Sequence, residues 1–218
     1  MFMTLKLAKR LQERQASKVT FKGLNILMNE RRVSPKVLRE IFIRATDLKI
    51  LGLLAVDFHM IAMKKENVEI VGFLNRCASQ KFNSNEHSRA FAIATLRDLA
   101  KNGRRDVWKG LLLGSRDLIA KNRRFALEGL KHLAEKGETQ IMSGLIKASS
   151  DKDASCQELA VHSLLIFAIK GNAETLPGLI NGAHSSELET RILALQGLTD
   201  LAVKGNKQAI KYLEEEKK

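Results

Sequence analysis

Apolar residues recur along the chain with a fixed period of 34 residues. Within one copy, the recurring positions fall on one stripe of a helix with 3.6 residues per turn, which predicts an amphipathic first helix. The columns of the four clear copies are Phe91, Phe125, Leu159 and Leu193; Ala92, Ala126, Ala160 and Ala194; Leu96, Leu130, Leu164 and Leu198; Leu99, Leu133, Phe167 and Leu201; and Ala100, Ala134, Ala168 and Ala202.

Glycines and short polar residues mark the two ends of this helix. The glycine after each copy predicts a helix stop, because glycine adopts the left-handed conformation that follows a helix end without strain. Short polar residues recur just before the helical pattern, and we expect each to cap a helix N-terminus. The stop glycines are Gly103, Gly137, Gly171 and Gly205, and the expected caps are Asp117, Asp151 and Ser185.

A second helix is predicted after each glycine. It repeats a glycine beside large apolar residues, which indicates a close crossing of the two helices of a pair. Pro177 falls in the first turn of one copy, where proline is tolerated. The columns are Trp108, Met142, Leu176 and Ile210; Gly110, Gly144 and Gly178; and Leu111, Leu145, Leu179 and Leu213.

Weaker copies of the pattern continue toward the N-terminus, around Phe58 and around Leu24, with four extra residues near 80–83. One helix pair cannot bury its apolar stripe alone, whereas stacked pairs bury it continuously. The sequence therefore predicts an all-α fold, a right-handed α-solenoid of about six stacked antiparallel helix pairs. Residues 18–218 are expected to form this array as one domain, and residues 1–17 a helix that caps its N-terminal end.

The repeat resembles the HEAT and armadillo families. The segment FAIKGNAETLPGLING at 167–182 resembles an armadillo segment, and Arg89, Arg123 and Arg191 resemble an arginine of HEAT first helices, although the fourth copy has Gln157. The 34-residue period is shorter than the usual HEAT or armadillo unit of about 40–47 residues, and the short extra helix of armadillo repeats is missing. The resemblance implies a binding scaffold with a concave face built from the second helices.

The N-terminus and the two cysteines bear on where the protein resides. Residues 1–17 are basic and roughly amphipathic, as in a mitochondrial presequence, but Glu13 and the scarcity of serine argue against one. Cys77 and Cys156 occupy unlike positions in different repeats, which argues against a disulfide framework and favours a reducing, cytoplasmic setting. No apolar run approaches the roughly 18 residues of a membrane-spanning helix, so no membrane association is expected.

Positive charge is the one feature that suggests a partner. Residues 1–150 contain 29 Lys and Arg against 14 Asp and Glu, whereas residues 151–218 contain 8 against 10. Such an asymmetric field attracts anionic partners. We expect a protein with an acidic or extended segment to bind a basic concave face that includes Arg39, Arg105, Lys109 and Lys147. Alternatively, the basic helix faces serve only to keep the array soluble.

Two other classes of function remain open. Some HEAT-like solenoids, including alkylpurine DNA glycosylases, bind nucleic acid on a basic surface; here few aromatic residues are available for stacking, so binding would be nonspecific, through phosphates. Bilin lyases also contain HEAT-like repeats, but no catalytic constellation is present in this sequence. The five histidines are scattered without metal-ligand spacing. We therefore expect no enzyme activity, no metal, no cofactor and no small-molecule substrate.

Overall fold

The computed structural model describes residues 68–81 and 85–216, and within these ranges it contains nine α-helices and no strand. Four long helices of 16 residues alternate with five shorter ones. The helices are α1 (Val68–Cys77), α2 (Glu86–Lys101), α3 (Trp108–Gly114), α4 (Ala120–Glu135), α5 (Met142–Ala148), α6 (Ala154–Ile169), α7 (Leu176–Ala183), α8 (Leu188–Val203) and α9 (Lys207–Glu215). Short 3₁₀ turns precede α5 and α7, at Thr139–Ile141 and Ala173–Thr175. The predicted all-α class is confirmed.

The helices stack in the order of the sequence. Each long helix packs against the next long helix, and each of the short helices α1, α3, α5 and α7 packs against the long helix that follows it. The short helices also touch at α1–α3 and at α5–α7. The described chain is therefore a solenoid with a layer of long helices, α2, α4, α6 and α8, and a layer of short helices, α1, α3, α5, α7 and α9. This arrangement confirms the predicted stacking of helix pairs.

The core runs continuously through the described repeats, as the columns predict. All four leucines of the Leu96 column are fully buried. A further core column, Ile93, Leu127 and Val161, did not enter the predicted stripe, although all three side chains have no exposed surface. The column of Phe91 and Phe125 lies at the edge of the core instead, because these rings are only half-buried.

The glycine stops are confirmed by their backbone. Gly103 and the equivalent glycines have φ angles between 81° and 88°, in the left-handed region. After α2, the N–H of Gly103 donates to the carbonyl of Ala100, and the N–H of Arg104 donates to that of Leu99. These bonds satisfy carbonyl groups that the helix end leaves without a partner.

The close crossing predicted at the second-helix glycines lies elsewhere than expected, because the backbone that Gly110 and Gly178 approach belongs to the preceding short helix and not to the other helix of the pair. A Cβ atom on Gly110 would lie 2.7 Å from the backbone Cα of Asn75 in the preceding short helix. Asn75 uses this proximity, since its Oδ1 accepts from the N–H of Gly110 at 2.9 Å and its Nδ2 donates to the carbonyl of Asp106 at 3.1 Å. The short helices α1 and α3 are thus joined by a hydrogen bond as well as by close packing.

The expected caps of the long helices are wrong by two residues. Asp117, Asp151 and Ser185 each lie two positions before the N-cap residue of the helix. Their side chains accept from the backbone N–H two residues on, at 2.9, 2.9 and 3.1 Å, and so shape the turn that leads into the helix. Of these three helices, only α6 has a side-chain cap, Asp153, which accepts from the N–H of Cys156 at 3.0 Å.

Several predictions lie outside the described residues. They concern the capping helix at 1–17, the weaker copies around Leu24 and Phe58, and Arg39. The extra residues near 80–83 are described only as far as Lys81. The count of six pairs, the right-handed sense and the division at residue 18 therefore stay predictions.

Candidate functional site

A ladder of polar side chains joins the long helices. Each rung links a long helix to the turn that precedes the next long helix, with the two residues 28 positions apart. Nε of Arg89 donates to Oδ2 of Asp117 at 2.7 Å, and both side chains are almost completely buried. Arg123 repeats this rung with Asp151. These arginines are therefore structural ties between neighbouring repeats.

The Arg123 rung shows why the ladder is stable. Nε and Nη2 bind the two carboxylate oxygens of Asp151 at 2.7 and 2.8 Å, while Nη1 donates to the carbonyls of Asp117 and Leu118. The hydrogen bonds to Asp151 raise the pKa of Arg123 against the opposing effect of burial. A bidentate pair with its remaining donors satisfied offsets the desolvation of both charges.

The third rung replaces the ion pair with a neutral one. Gln157 occupies the arginine position, and its Oε1 accepts from the hydroxyl of Ser185 at 2.7 Å. Its Nε2 donates to the carbonyl of Ser149 at 2.9 Å. Where the other rungs have arginine and aspartate, this rung has Gln157 and Ser185. Both charges are replaced together, so the rung keeps a hydrogen bond without leaving one charge unpaired.

The predicted partner-binding residues are not equivalent in the structure. Arg105 lies in the turn before α3 rather than on the helix, because α3 begins only at Trp108, and its Nη1 pairs with Glu138 at 3.0 Å. Lys109 is exposed on α3 with its Nζ 5.4 Å from the centre of the Trp108 ring. Lys147 is exposed in the last turn of α5.

A basic surface does surround these residues on the short-helix layer. Lys109, Arg116 and Lys147 are exposed, and within the described ranges none of them forms an ion pair. The nearby carboxylates are already paired, since Asp106 binds Arg104 at 2.7 Å and Glu138 binds Arg105. We call Arg105, Lys109, Arg116 and Lys147 the basic short-helix face.

A groove crosses the opposite layer, between α2 and α4. It has a volume of about 380 Å³ and is lined by Glu86, His87, Ala90, Phe91, Ala94, Ile119, Lys121, Asn122 and Phe125. Its walls are largely apolar, and exposed charged side chains stand at its rim. We call this feature the α2–α4 groove. No pattern in the sequence had singled it out.

Charged groups accompany the aromatic wall of the α2–α4 groove. Cζ of Arg97 lies 4.7 Å from the centre of the Phe125 ring, and Nζ of Lys121 lies 5.8 Å from it. Arg97 is held by Asp98 and Glu128, at 2.8 and 3.2 Å. Lys121 forms no ion pair in the described part of the chain and remains available at the rim.

The described residues contain no cluster of three or more His, Cys, Asp or Glu side chains that could hold a metal ion. Among the same residues, no helix is both long enough and apolar enough to cross a bilayer. Cys77 and Cys156 are both fully buried.

Comparison with known proteins finds no matching family model and no matching curated protein. Solved structures do match. A designed armadillo repeat protein is 16% identical, with a TM-score of 0.55, over 82% of this chain and 86% of that one. A computationally designed armadillo repeat protein for modular peptide recognition is also 16% identical, with a TM-score of 0.57 over the same shares of the two chains. A further engineered protein is 19% identical, with a TM-score of 0.55, over 82% of this chain and 83% of that one.

These matches define the class of protein. The stacked helix pairs, the absence of strands from the described residues and the agreement with armadillo repeat structures make this a helical-repeat protein. More particularly, its fold is armadillo-like, as the sequence resemblance implied. At these identities the likeness concerns the fold, and function must be argued from the surfaces of this chain.

Proposed function

We propose that the protein is a non-enzymatic scaffold that binds an acidic, extended segment of another protein on the basic short-helix face. One observation carries the proposal. Lys109, Arg116 and Lys147 expose positive charge without an ion-pair partner in the described ranges, while the neighbouring carboxylates of Asp106 and Glu138 are neutralised by arginines. The positive charge of these three side chains on α3, α5 and the turn after α3 is therefore not neutralised by nearby carboxylates.

The chemistry of this face suits a carboxylate-rich segment. A single exposed ion pair contributes only about 0–1 kcal/mol, so a useful affinity needs several contacts at once. Stacked repeats provide them, because Lys147 occupies the position of Leu113 in the next repeat and Lys109 lies four residues before Leu113, so both cations are on the same face of their short helices. Leu113, which is 40% exposed on α3, and the Trp108 ring add apolar surface between the cations. An extended segment that alternates acidic and apolar residues matches this surface.

The comparisons support the use of such a surface without identifying its partner. One neighbour is a designed protein for modular peptide recognition. In this chain we propose the same type of use, with Arg105, Lys109 and Lys147 as partner contacts and Arg39 as a further predicted contact. The concave shape of the face and a cytoplasmic location stay predictions from the sequence.

The test uses charge reversal on the face and on a matched surface. Lys109→Glu with Lys147→Glu changes two exposed cations in adjacent repeats. The control, Lys136→Glu with Lys170→Glu, makes the same change at two exposed helix ends in adjacent repeats. Arg105 is left unchanged, because its reversal would also set a repulsive charge against Glu138.

Binding is measured by fluorescence anisotropy with a labelled glutamate decapeptide and with a single-stranded DNA of mixed sequence. We expect the double change on the face to weaken decapeptide binding by about tenfold, and the control to weaken it by less than about threefold. If the two double variants weakened decapeptide binding equally, specific binding on the basic short-helix face would be contradicted. DNA binding that exceeds decapeptide binding and falls steeply between about 50 and 200 mM salt would favour the nonspecific nucleic-acid hypothesis instead.

A further inference from the structure

The α2–α4 groove ends at a helix N-terminus that lacks a cap. Of the four described long helices, α4 is the one with neither a side-chain cap nor an acidic residue in its first turn. The amides of Ala120 and Lys121 have no acceptor in the described part of the chain. Free amides and the helix dipole together favour an anion at this position.

A buried donor points to the same place. Asn122 lines the groove and is 2% exposed, yet its Nδ2 has no hydrogen-bond partner among the described residues. A buried amide without an acceptor costs free energy, so a ligand that supplies an acceptor regains it. The start of α4 therefore offers an anion the Lys121 ammonium and the two backbone amides, and Nδ2 of Asn122, which is enclosed in the free protein, becomes a fourth donor when its side chain turns toward the groove.

Apolar surface continues from these donors along the groove. Phe91 and Phe125 are half-buried and line the groove from α2 and α4, and the small residues Ala90 and Ala94 line it as well. The rim acid, Glu86, lies 3.8 Å from the imidazole of His87. The volume of about 380 Å³ is at the lower end of the range for ligand pockets, which suits one large side chain.

We propose that the α2–α4 groove binds an acidic peptide segment by inserting one aromatic side chain between Phe91 and Phe125, with a neighbouring carboxylate on the start of α4. The carboxylate accepts from the amides of Ala120 and Lys121 and from Nδ2 of Asn122, and it pairs with the Lys121 ammonium. The groove is open at its rim, so a peptide can cross it without entering an enclosed cavity. This site lies on the long-helix layer and is separate from the basic short-helix face.

The experiment titrates the ¹⁵N-labelled full chain with the pentapeptide acetyl-EEFEE-amide and follows the Asn122 side-chain amide and the Ala120 and Lys121 backbone amides. We expect these resonances to shift together. Two control peptides are titrated in the same way. Acetyl-EEAEE-amide lacks the aromatic ring, and acetyl-QQFQQ-amide lacks the carboxylates. Each should bind at least about tenfold more weakly, because each removes one half of the recognition.

Variants distinguish peptide binding in the α2–α4 groove from peptide binding on the basic short-helix face. Lys121→Glu should weaken pentapeptide binding by about tenfold, whereas Lys131→Glu, with the same charge change on the same helix, should change it by less than about twofold. Ala94→Leu should also weaken binding, because it fills the groove without altering charge. Unshifted resonances, or equal effects of Lys121→Glu and Lys131→Glu, would overturn the inference.

Two further results would also contradict this site. If N-acetyl-phenylalanine bound as tightly as the pentapeptide, the groove would be a small-molecule site rather than a peptide subsite. If Lys109→Glu with Lys147→Glu abolished pentapeptide binding while Lys121→Glu did not, the short-helix face would hold the peptide and the groove would not. The proposed function would survive the second result.

Discussion

Exchanging one rung of the polar ladder for another tests whether the rungs are matched pairs. Arg123→Gln with Asp151→Ser would place the Gln157–Ser185 chemistry one repeat earlier. Arg123→Gln alone removes both bonds to Asp151 and both bonds to backbone carbonyls, and it leaves a largely buried carboxylate without its counter-ion. We expect this single change to cost about 3–5 kcal/mol of unfolding free energy.

The other changes set the expected coupling. Asp151→Ser leaves the guanidinium of Arg123 with two carbonyl acceptors, so its cost should be smaller, about 1.5–3 kcal/mol. The double variant should retain a glutamine–serine bond like the one at 2.7 Å between Gln157 and Ser185. We expect it to lie about 3 kcal/mol below wild type, which, against the middle of the two single ranges, gives a coupling of about 3 kcal/mol, at the upper end for residues in contact.

The assay is urea unfolding of the four proteins, followed by circular dichroism, with the denaturant dependence of the free energy compared between them. An unchanged slope shows that the variants unfold as the same cooperative unit. If the double variant lost the sum of the two single effects, the rungs would not be matched pairs, and the interpretation of Gln157 and Ser185 would be wrong.

Three further outcomes are expected from stability and reactivity measurements. By urea unfolding, Leu127→Ala should lower the unfolding free energy by about 2–5 kcal/mol and Leu195→Ala by about 1–2 kcal/mol. The two residues belong to the same column, but Leu127 is fully buried whereas Leu195 is 40% exposed. Equal losses of unfolding free energy would contradict this burial pattern. The thiol of Cys156 is fully buried and desolvation raises its pKa to about 12, so dithionitrobenzoate at pH 8 should modify it only as fast as the protein unfolds; rapid labelling of the native protein would refute this. Asp153→Ala should cost about 0.5–2 kcal/mol through loss of the α6 cap. Hydrogen bonds from Cys156 lower the pKa of Asp153. The stability that Asp153 contributes is therefore fully present above the ordinary aspartate pKa and is lost as pH falls through the lowered pKa of the folded protein. If the unfolding free energy of Asp153→Ala fell at low pH as steeply as that of wild type, this role of Asp153 would be contradicted.

The repeat made the core and the helix ends accessible to prediction from the sequence. A fixed period places chemically similar residues in one environment several times, so the Leu96 column and the stop glycine at Gly103 could be assigned from agreement between copies. The Ile93 column escaped the predicted stripe because its contact with the ends of the short helices, at Gly114 for Ile93 and at Gly182 for Val161, depends on how the helices pack. Asp117 and Asp151 were interpreted as caps because the pairing of residues 28 positions apart is likewise a property of the stack.

The surfaces were harder to predict. The start of α3 could not be fixed by periodicity, so Arg105 was placed on a helix that begins three residues later. The α2–α4 groove had no sequence signal, since Asn122 shares its column with Ser88, Cys156 and Thr190, which are small and buried like most core positions. Its missing hydrogen bond becomes visible only when the neighbouring helices are in place.

Capture of partners from native lysate tests the central claim, a protein-binding scaffold with a basic short-helix face, most directly. The immobilised wild type, the Lys109→Glu with Lys147→Glu variant and the Lys136→Glu with Lys170→Glu control are compared by quantitative mass spectrometry, each with and without nuclease. The account predicts an acidic protein that wild type and control retain after nuclease treatment and that the face variant loses. Identical retention by all three proteins, or loss of every captured protein on nuclease treatment, would contradict it.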